Sequence, residues 1–162
     1  MTLKNVNTVL AAIVILFSFY LGITFLLIPD VQAPGFGLPH WPSGDGGGFL
    51  NVKGNRENGM GLAAALLLLT GHRRALGWAL LGVAAAPFGD MITVLAHHGS
   101  TAIALSVHGL TSVFIATTGL LILRETRKPR ETRKPRGTRK PRETRKARES
   151  RKARETAAPT SA

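Results

Sequence analysis

Residues 8–28 are 21 consecutive positions without a charge, dense in Leu, Ile, Val and Phe. At ~1.5 Å rise per residue, a helix of that length covers about 30 Å, the thickness of a bilayer's hydrocarbon core. The placement of charge narrows the fold further. Residues 1–123 carry five Lys/Arg and four Asp/Glu, a sum of +1. Residues 124–162 carry 16 Lys/Arg and five Glu, a sum of +11, which completes the formal +12 of the chain. A soluble domain is roughly a quarter charged, and nine charges in 123 residues exclude that class. The mean hydropathy of +0.12 conceals this division by averaging an apolar body with a basic tail.

A cleaved signal peptide is the competing reading of the first run, since Lys4 precedes it and Val31, Gln32 and Ala33 imitate a cleavage site. The run exceeds a signal core of about 7–15 residues, and Pro34 would follow the cut, so an uncleaved helix is expected. The chain contains no cysteine, which removes disulfides, thiolate metal sites and a Cys nucleophile from consideration.

Residues 75–96 form a second apolar stretch, interrupted by Pro87 and Asp90, and residues 101–123 a third, interrupted by His108. Residues 59–70 are apolar too, but 12 residues reach only ~18 Å. Either this is a short or re-entrant helix, or the helix starts near Phe49 and carries Lys53, Arg56 and Glu57 with it. Gly54 and Gly59 count against the longer helix, at roughly 1 kcal/mol each relative to Ala. The turn at 71–74 favours it, being long enough only to join antiparallel neighbours. The expected fold is all-α, a four-helix transmembrane bundle with spans of about 8–28, 49–70, 75–96 and 101–123. Residues 1–124 then form the membrane domain and residues 125–162 a tail. The connection 29–48 holds four prolines and six glycines and reads as an irregular loop.

Lys/Arg placement sets orientation. A cytoplasmic N-terminus puts Lys4, Arg73, Arg74 and the whole tail inside, so a multi-pass cell-membrane protein with both termini cytoplasmic is expected. Trp41 and Trp78 then fall at the two interfaces as anchors.

Ionisable residues within a span cost about 2.5–3.5 kcal/mol and usually face the bundle interior. Asp90 lies ~9 Å and His108 ~10 Å from the outer ends of adjacent antiparallel helices, hence at one level. Lys53, Arg56 and Glu57 reach a similar depth in the longer second helix, with Lys53 and Glu57 sharing a face. Two positive and two negative charges would form a neutral cluster, as burial requires, with His108 as a titratable neighbour. Pro87 kinks its helix one turn from Asp90, a pointer to an intramembrane cavity. Two readings compete. The cluster fastens helices, with Arg56–Asp90 as an ion pair, or it is a ligand or proton site. Small residues (Gly61, Ala63, Ala64, Ala65, Gly82, Ala86) permit close packing in either case.

His97 and His98 are adjacent but lack a third ligand, so no metal site is expected. No phosphate-binding loop, zinc-binding helix or serine elbow is present in the sequence, and no cofactor is indicated.

From Glu125 a hexapeptide recurs (ETRKPR, ETRKPR, GTRKPR, ETRKAR, ESRKAR), with prolines at 129, 135 and 141. It cannot bury enough apolar surface to offset chain entropy and is expected to be disordered. Placed beside the membrane, Arg127, Lys128, Arg130, Arg133, Lys134 and Arg136 suit anionic lipid headgroups, at about 1 kcal/mol per cation. The lack of interleaved aromatic residues argues against nucleic acid. A homo-oligomer is left open.

The strings GITFLLIPD, PGFGLP, NVKGNRENGMGL, GHRRALGWALL and APFGDMITVL, followed by His108 and Arg124, span residues 22–124. Together they resemble the integral-membrane family known as domain of unknown function 4267, found in bacteria and fungi. The resemblance implies a small multi-span membrane protein and supplies no substrate. Its Lys-Gly-x-Arg and Gly-Asp motifs fall on Lys53, Arg56 and Asp90. The function expected is non-enzymatic: binding or passage of a small molecule, lipid or proton at the polar layer. The alternatives are an acid–base enzyme using Asp90 and His108 on an apolar substrate, or an anchor or assembly protein working through its tail.

Overall fold

The computed structural model describes residues 2–127, 149, 150, 152 and 153. Four long helices dominate: α1 (Leu3–Leu27), α2 (Gly48–Leu69), α3 (Arg73–Ala96) and α4 (Thr101–Glu125). No strand occurs among the described residues. Of these helices, α1, α3 and α4 are long and apolar enough to cross a membrane. At 22 residues α2 is of comparable length but more polar. It runs unbroken through Lys53, Arg56 and Glu57, so the short reading of the second helix is overturned.

Local chemistry fixes the helix ends. The Thr2 hydroxyl accepts from the Asn5 amide and opens α1. Pro29 closes it, because the ring disfavours helical geometry at Ile28, whose backbone sits at φ −137°, ψ 55°. Gly71, at φ +75°, ends α2 in a left-handed cap, with Gly71 N–H donating to Leu68 and His72 N–H to Leu67. The end of α3 repeats the motif with His98, at φ +56°, in the glycine's place, and Gly99 N–H donating to Val94. Ser100 then caps α4.

Large apolar side chains lie on the outside of the bundle: Leu16, Leu66, Trp78, Val113 and Leu120 are each more than half exposed. Such surfaces are rare on soluble monomers and fit hydrocarbon surroundings. Inside, Ala11, Val14 and Ile15 of α1 meet Ala64 of α2, Leu76 and Leu80 of α3, and Ile115 and Ile122 of α4.

Glycines set the closest approaches. A Cβ on Gly54 would meet the Gly22 carbonyl oxygen at 2.7 Å, which locks α2 onto α1. A Cβ on Gly77 would meet Leu123 at 2.8 Å, and one on Gly119 the Gly77 carbonyl oxygen at 2.9 Å, so α3 and α4 touch backbone to backbone. Of the small residues expected to do this, Gly61 packs on Ser18, whereas Gly82 faces open space.

The connection between α1 and α2 is more ordered than its composition suggests. Pro29–Gln32 is an α-turn, and Ala33–Phe36 and Gly44–Gly47 are 3₁₀ turns. The first two fold back over the bundle, burying Ala33 against Phe25 and Leu50. Gly37, at φ +92°, then turns the chain so that its carbonyl accepts from Ser100 N–H at 2.8 Å.

In the tail, Glu149, Ser150, Lys152 and Ala153 are helical, within the proline-free repeats. The expected lipid contacts of Lys128, Arg130, Arg133, Lys134 and Arg136 lie outside the described residues.

Candidate functional site

One half of the bundle gathers four of the five side chains singled out from sequence. Lys53 and Glu57, one turn apart on α2, meet at 3.3 Å, and Lys53 Nζ also lies 3.4 Å from Asp90 Oδ2 on α3. His108 of α4 presents Nδ1 to the same Asp90 oxygen at 4.0 Å. Equal depth on antiparallel neighbours therefore does bring Asp90 and His108 together.

Arg56 does not join them. It is exposed and forms no ion pair among the described residues, while Lys53 takes the partner foreseen for it. Helical rotation is the reason. At ~100° per residue, Arg56 stands about 120° around α2 from the inward face at Leu50, and Lys53 about 60°. Arg56 lines one of three adjoining cavities, beside Phe49 and Val52.

Lys53 is enclosed by aromatic faces as well as carboxylates. Its Nζ lies 4.8 Å from the Phe36 ring centre and 5.6 Å from that of Phe25, which adds cation–π attraction to the two ion pairs. Phe36 has a second role. Its carbonyl oxygen is 2.8 Å from His108 Nε2, and its ring centre is 4.6 Å from the imidazole. A carbonyl only accepts, so the Nε2 hydrogen of His108 donates to it and Nδ1 is left facing Asp90.

The backbone around His108 is unusual. Ala104–Gly109 forms a π-helical turn inside α4, with the Leu110 amide donating to the Leu105 carbonyl. Such turns insert one residue into an α-helix and often mark functional positions. Opposite, the Ser112 hydroxyl donates to the Ala84 carbonyl at 2.9 Å, tying α4 to α3 close to Pro87.

Three cavities, of about 160, 210 and 230 Å³, adjoin this cluster, and all three touch both Glu57 and Asp90. The first lies among all four helices beside Pro87 and is walled mainly by apolar side chains such as Phe17, Phe114 and Ile115. The second reaches Lys53, Gln32 and His108.

The other end of the bundle holds a polar cluster that sequence reasoning missed. Arg73 Nε lies 2.8 Å from Glu125 Oε1, and Arg73 Nη2 donates to Glu125 Oε2 at 2.9 Å. Arg73 also donates to the Thr8 hydroxyl and the Lys4 carbonyl. Asn7, fully buried, donates to Glu125 Oε2 at 2.8 Å and to the Leu121 carbonyl. Three helices are joined here through one carboxylate. Glu125 reads in the sequence as the first letter of the repeats, and Arg73 as a topology signal. The one sequence hint of their meeting is Asn7, an amide one turn before Ala11 on the apolar face of α1.

A family model described as Domain of unknown function (DUF4267) matches residues 15–122. The matched stretch contains Lys53, Glu57, Asp90, His108 and Arg73, and stops short of Asn7 and Glu125. No curated protein and no solved structure matches the chain.

Proposed function

The chain belongs to the DUF4267 family, and we propose that it is a four-span membrane protein that binds a small molecule in the layer formed by Lys53, Glu57, Asp90 and His108. The observation that carries this reading is the convergence of three cavities on Glu57 and Asp90. A purely structural ion-pair cluster would be closed by packing, because each void beside it forfeits contacts for the side chains that line it.

In this reading α2 spans the membrane with the other three helices, its charges shielded by α1, α3 and the segment Pro29–Phe36. Both termini are cytoplasmic in a cell membrane. Lys4, Arg73 and Glu125 meet at one end of the bundle, next to Arg74 and Arg124, which gives that end the Lys/Arg excess of a cytoplasmic face. The basic tail follows there and rests on anionic lipid.

Native mass spectrometry of the purified full chain, wild type beside Asp90→Asn, tests the binding reading. The expected result is a bound small molecule on the wild type that is lost from a still-folded variant. Bare protein in both samples, or a molecule retained equally by both, refutes it.

A further inference from the structure

The charge lining of the cavity beside Pro87 is one-sided. Among the described residues its charged walls are Glu57 and Asp90 alone, and the rest is apolar apart from Ser18 and Thr111. Lys53 engages one oxygen of each acid, Oε1 of Glu57 and Oδ2 of Asp90. Glu57 Oε2 and Asp90 Oδ1 have no hydrogen-bond partner among the described residues. A cavity of about 160 Å³ is the size that accepts a single aromatic ring. Its lining offers an apolar body the rings of Phe17 and Phe114, and a charged head the two acids Glu57 and Asp90.

His108 lines the adjoining cavity of about 210 Å³ and meets the one beside Pro87 through their shared Asp90. Its side chain is nine-tenths buried, its Nε2 is committed to Phe36, and its Nδ1 has no hydrogen bond among the described residues while facing Asp90 at 4.0 Å. The groups around it are Lys53 and Glu57 from α2, Asp90 from α3, Gln32 and Phe36 from the loop, and the non-titrating Phe17, Leu21 and Phe25 from α1. With Nδ1 unprotonated, Lys53 stands against two carboxylates and the layer holds one excess negative charge. With Nδ1 protonated, the layer is neutral. Arg56 stands outside this count because it is exposed and forms no ion pair among the described residues.

Building on the binding reading above, we propose that the layer takes a monovalent organic cation with an apolar body about one ring in size, in exchange for the proton on His108 Nδ1. The cation's head sits on Glu57 Oε2 and Asp90 Oδ1 and supplies the positive charge. The N–H bond at Nδ1 breaks and that proton leaves to solvent, so the layer stays neutral in both states, as burial requires. No other bond changes.

Calorimetric titration of the full chain in non-ionic micelles tests this, with benzyltrimethylammonium as the probe and neopentylbenzene, its uncharged isostere, as the comparison. The cation is expected to bind at least about tenfold more tightly than the isostere. Its affinity should weaken as pH falls, approaching about tenfold per pH unit where one proton is exchanged. Glu57→Gln should weaken it by about tenfold or more, and His108→Gln should abolish the pH dependence. Equal binding of the isostere overturns the proposal, and so does a pH dependence that survives in His108→Gln. The probe comparison uses wild-type protein alone, so it decides even where a variant fails to fold. If native mass spectrometry finds an Asp90-dependent molecule that is neutral or anionic, the binding reading stands and the exchange falls. If native mass spectrometry finds no Asp90-dependent molecule, the binding reading falls and the exchange falls with it.

Discussion

Replacing Glu125 by Gln removes the charge that holds three helices together at the end of the bundle opposite the cavities. In the native protein Arg73 makes two short contacts to that carboxylate, 2.8 and 2.9 Å, and both side chains are about 85% buried, with 15% and 14% exposure remaining. Breaking a buried ion pair by removing one partner costs about 3–5 kcal/mol, mostly because the surviving charge is stranded. Here Arg73 keeps two neutral acceptors, the Thr8 hydroxyl at 3.0 Å and the Lys4 carbonyl at 3.3 Å. Asn7 keeps the Leu121 carbonyl at 3.2 Å. Those remaining bonds place Glu125→Gln at the lower limit, about 3 kcal/mol.

The pair Arg73→Met and Glu125→Met separates the loss of an interaction from the stranding of a charge. Each single variant should cost about 3 kcal/mol, and the double variant much less than their sum, with a coupling of about 2 kcal/mol or more. Equilibrium unfolding in mixed micelles, followed by helical circular dichroism, measures all four proteins. A Glu125→Gln cost below about 0.5 kcal/mol, or strict additivity in the cycle, would refute the claim that this cluster fastens the bundle.

Two glycines of α2 should respond oppositely to the same substitution. Gly54→Ala drives a methyl toward the Gly22 carbonyl and should cost about 1–3 kcal/mol in the same unfolding assay. Gly59→Ala meets open space and should be neutral or stabilising by up to about 1 kcal/mol. Ser112→Ala should cost about 0.6 kcal/mol, the typical worth of an interhelical hydrogen bond in a membrane. Pro87→Ala restores a donor to the helix and should reduce benzyltrimethylammonium binding, read by the same titration, because the proline borders the cavity that receives it.

Much of the bundle is legible in the sequence because the relevant signals are local. The length of a charge-free run sets the length of a spanning helix, and depth counted along two antiparallel neighbours places Asp90 and His108 at one level. Lys53 and Glu57 share a face because four residues make one turn. The partner of Asp90 was not legible, since Lys53 and Arg56 have the same charge and nearly the same depth. Only the rotation of α2, set where Gly54 meets Gly22, points one inward and the other out.

By itself, then, the sequence determines an all-helical protein with an apolar exterior, an internal polar level and a basic tail, because hydrophobic length and helical period are properties of contiguous residues. Tertiary structure alone decides that the Phe36 carbonyl fixes the His108 tautomer, that a π turn carries that histidine, and that Glu125 belongs to a three-helix junction rather than to the repeat. Each of these joins residues from 52 to 118 positions apart, or shifts a helix by one residue. Pairings of that kind follow from how helix faces and a returning loop meet in space, and a periodic pattern along the chain carries no record of them.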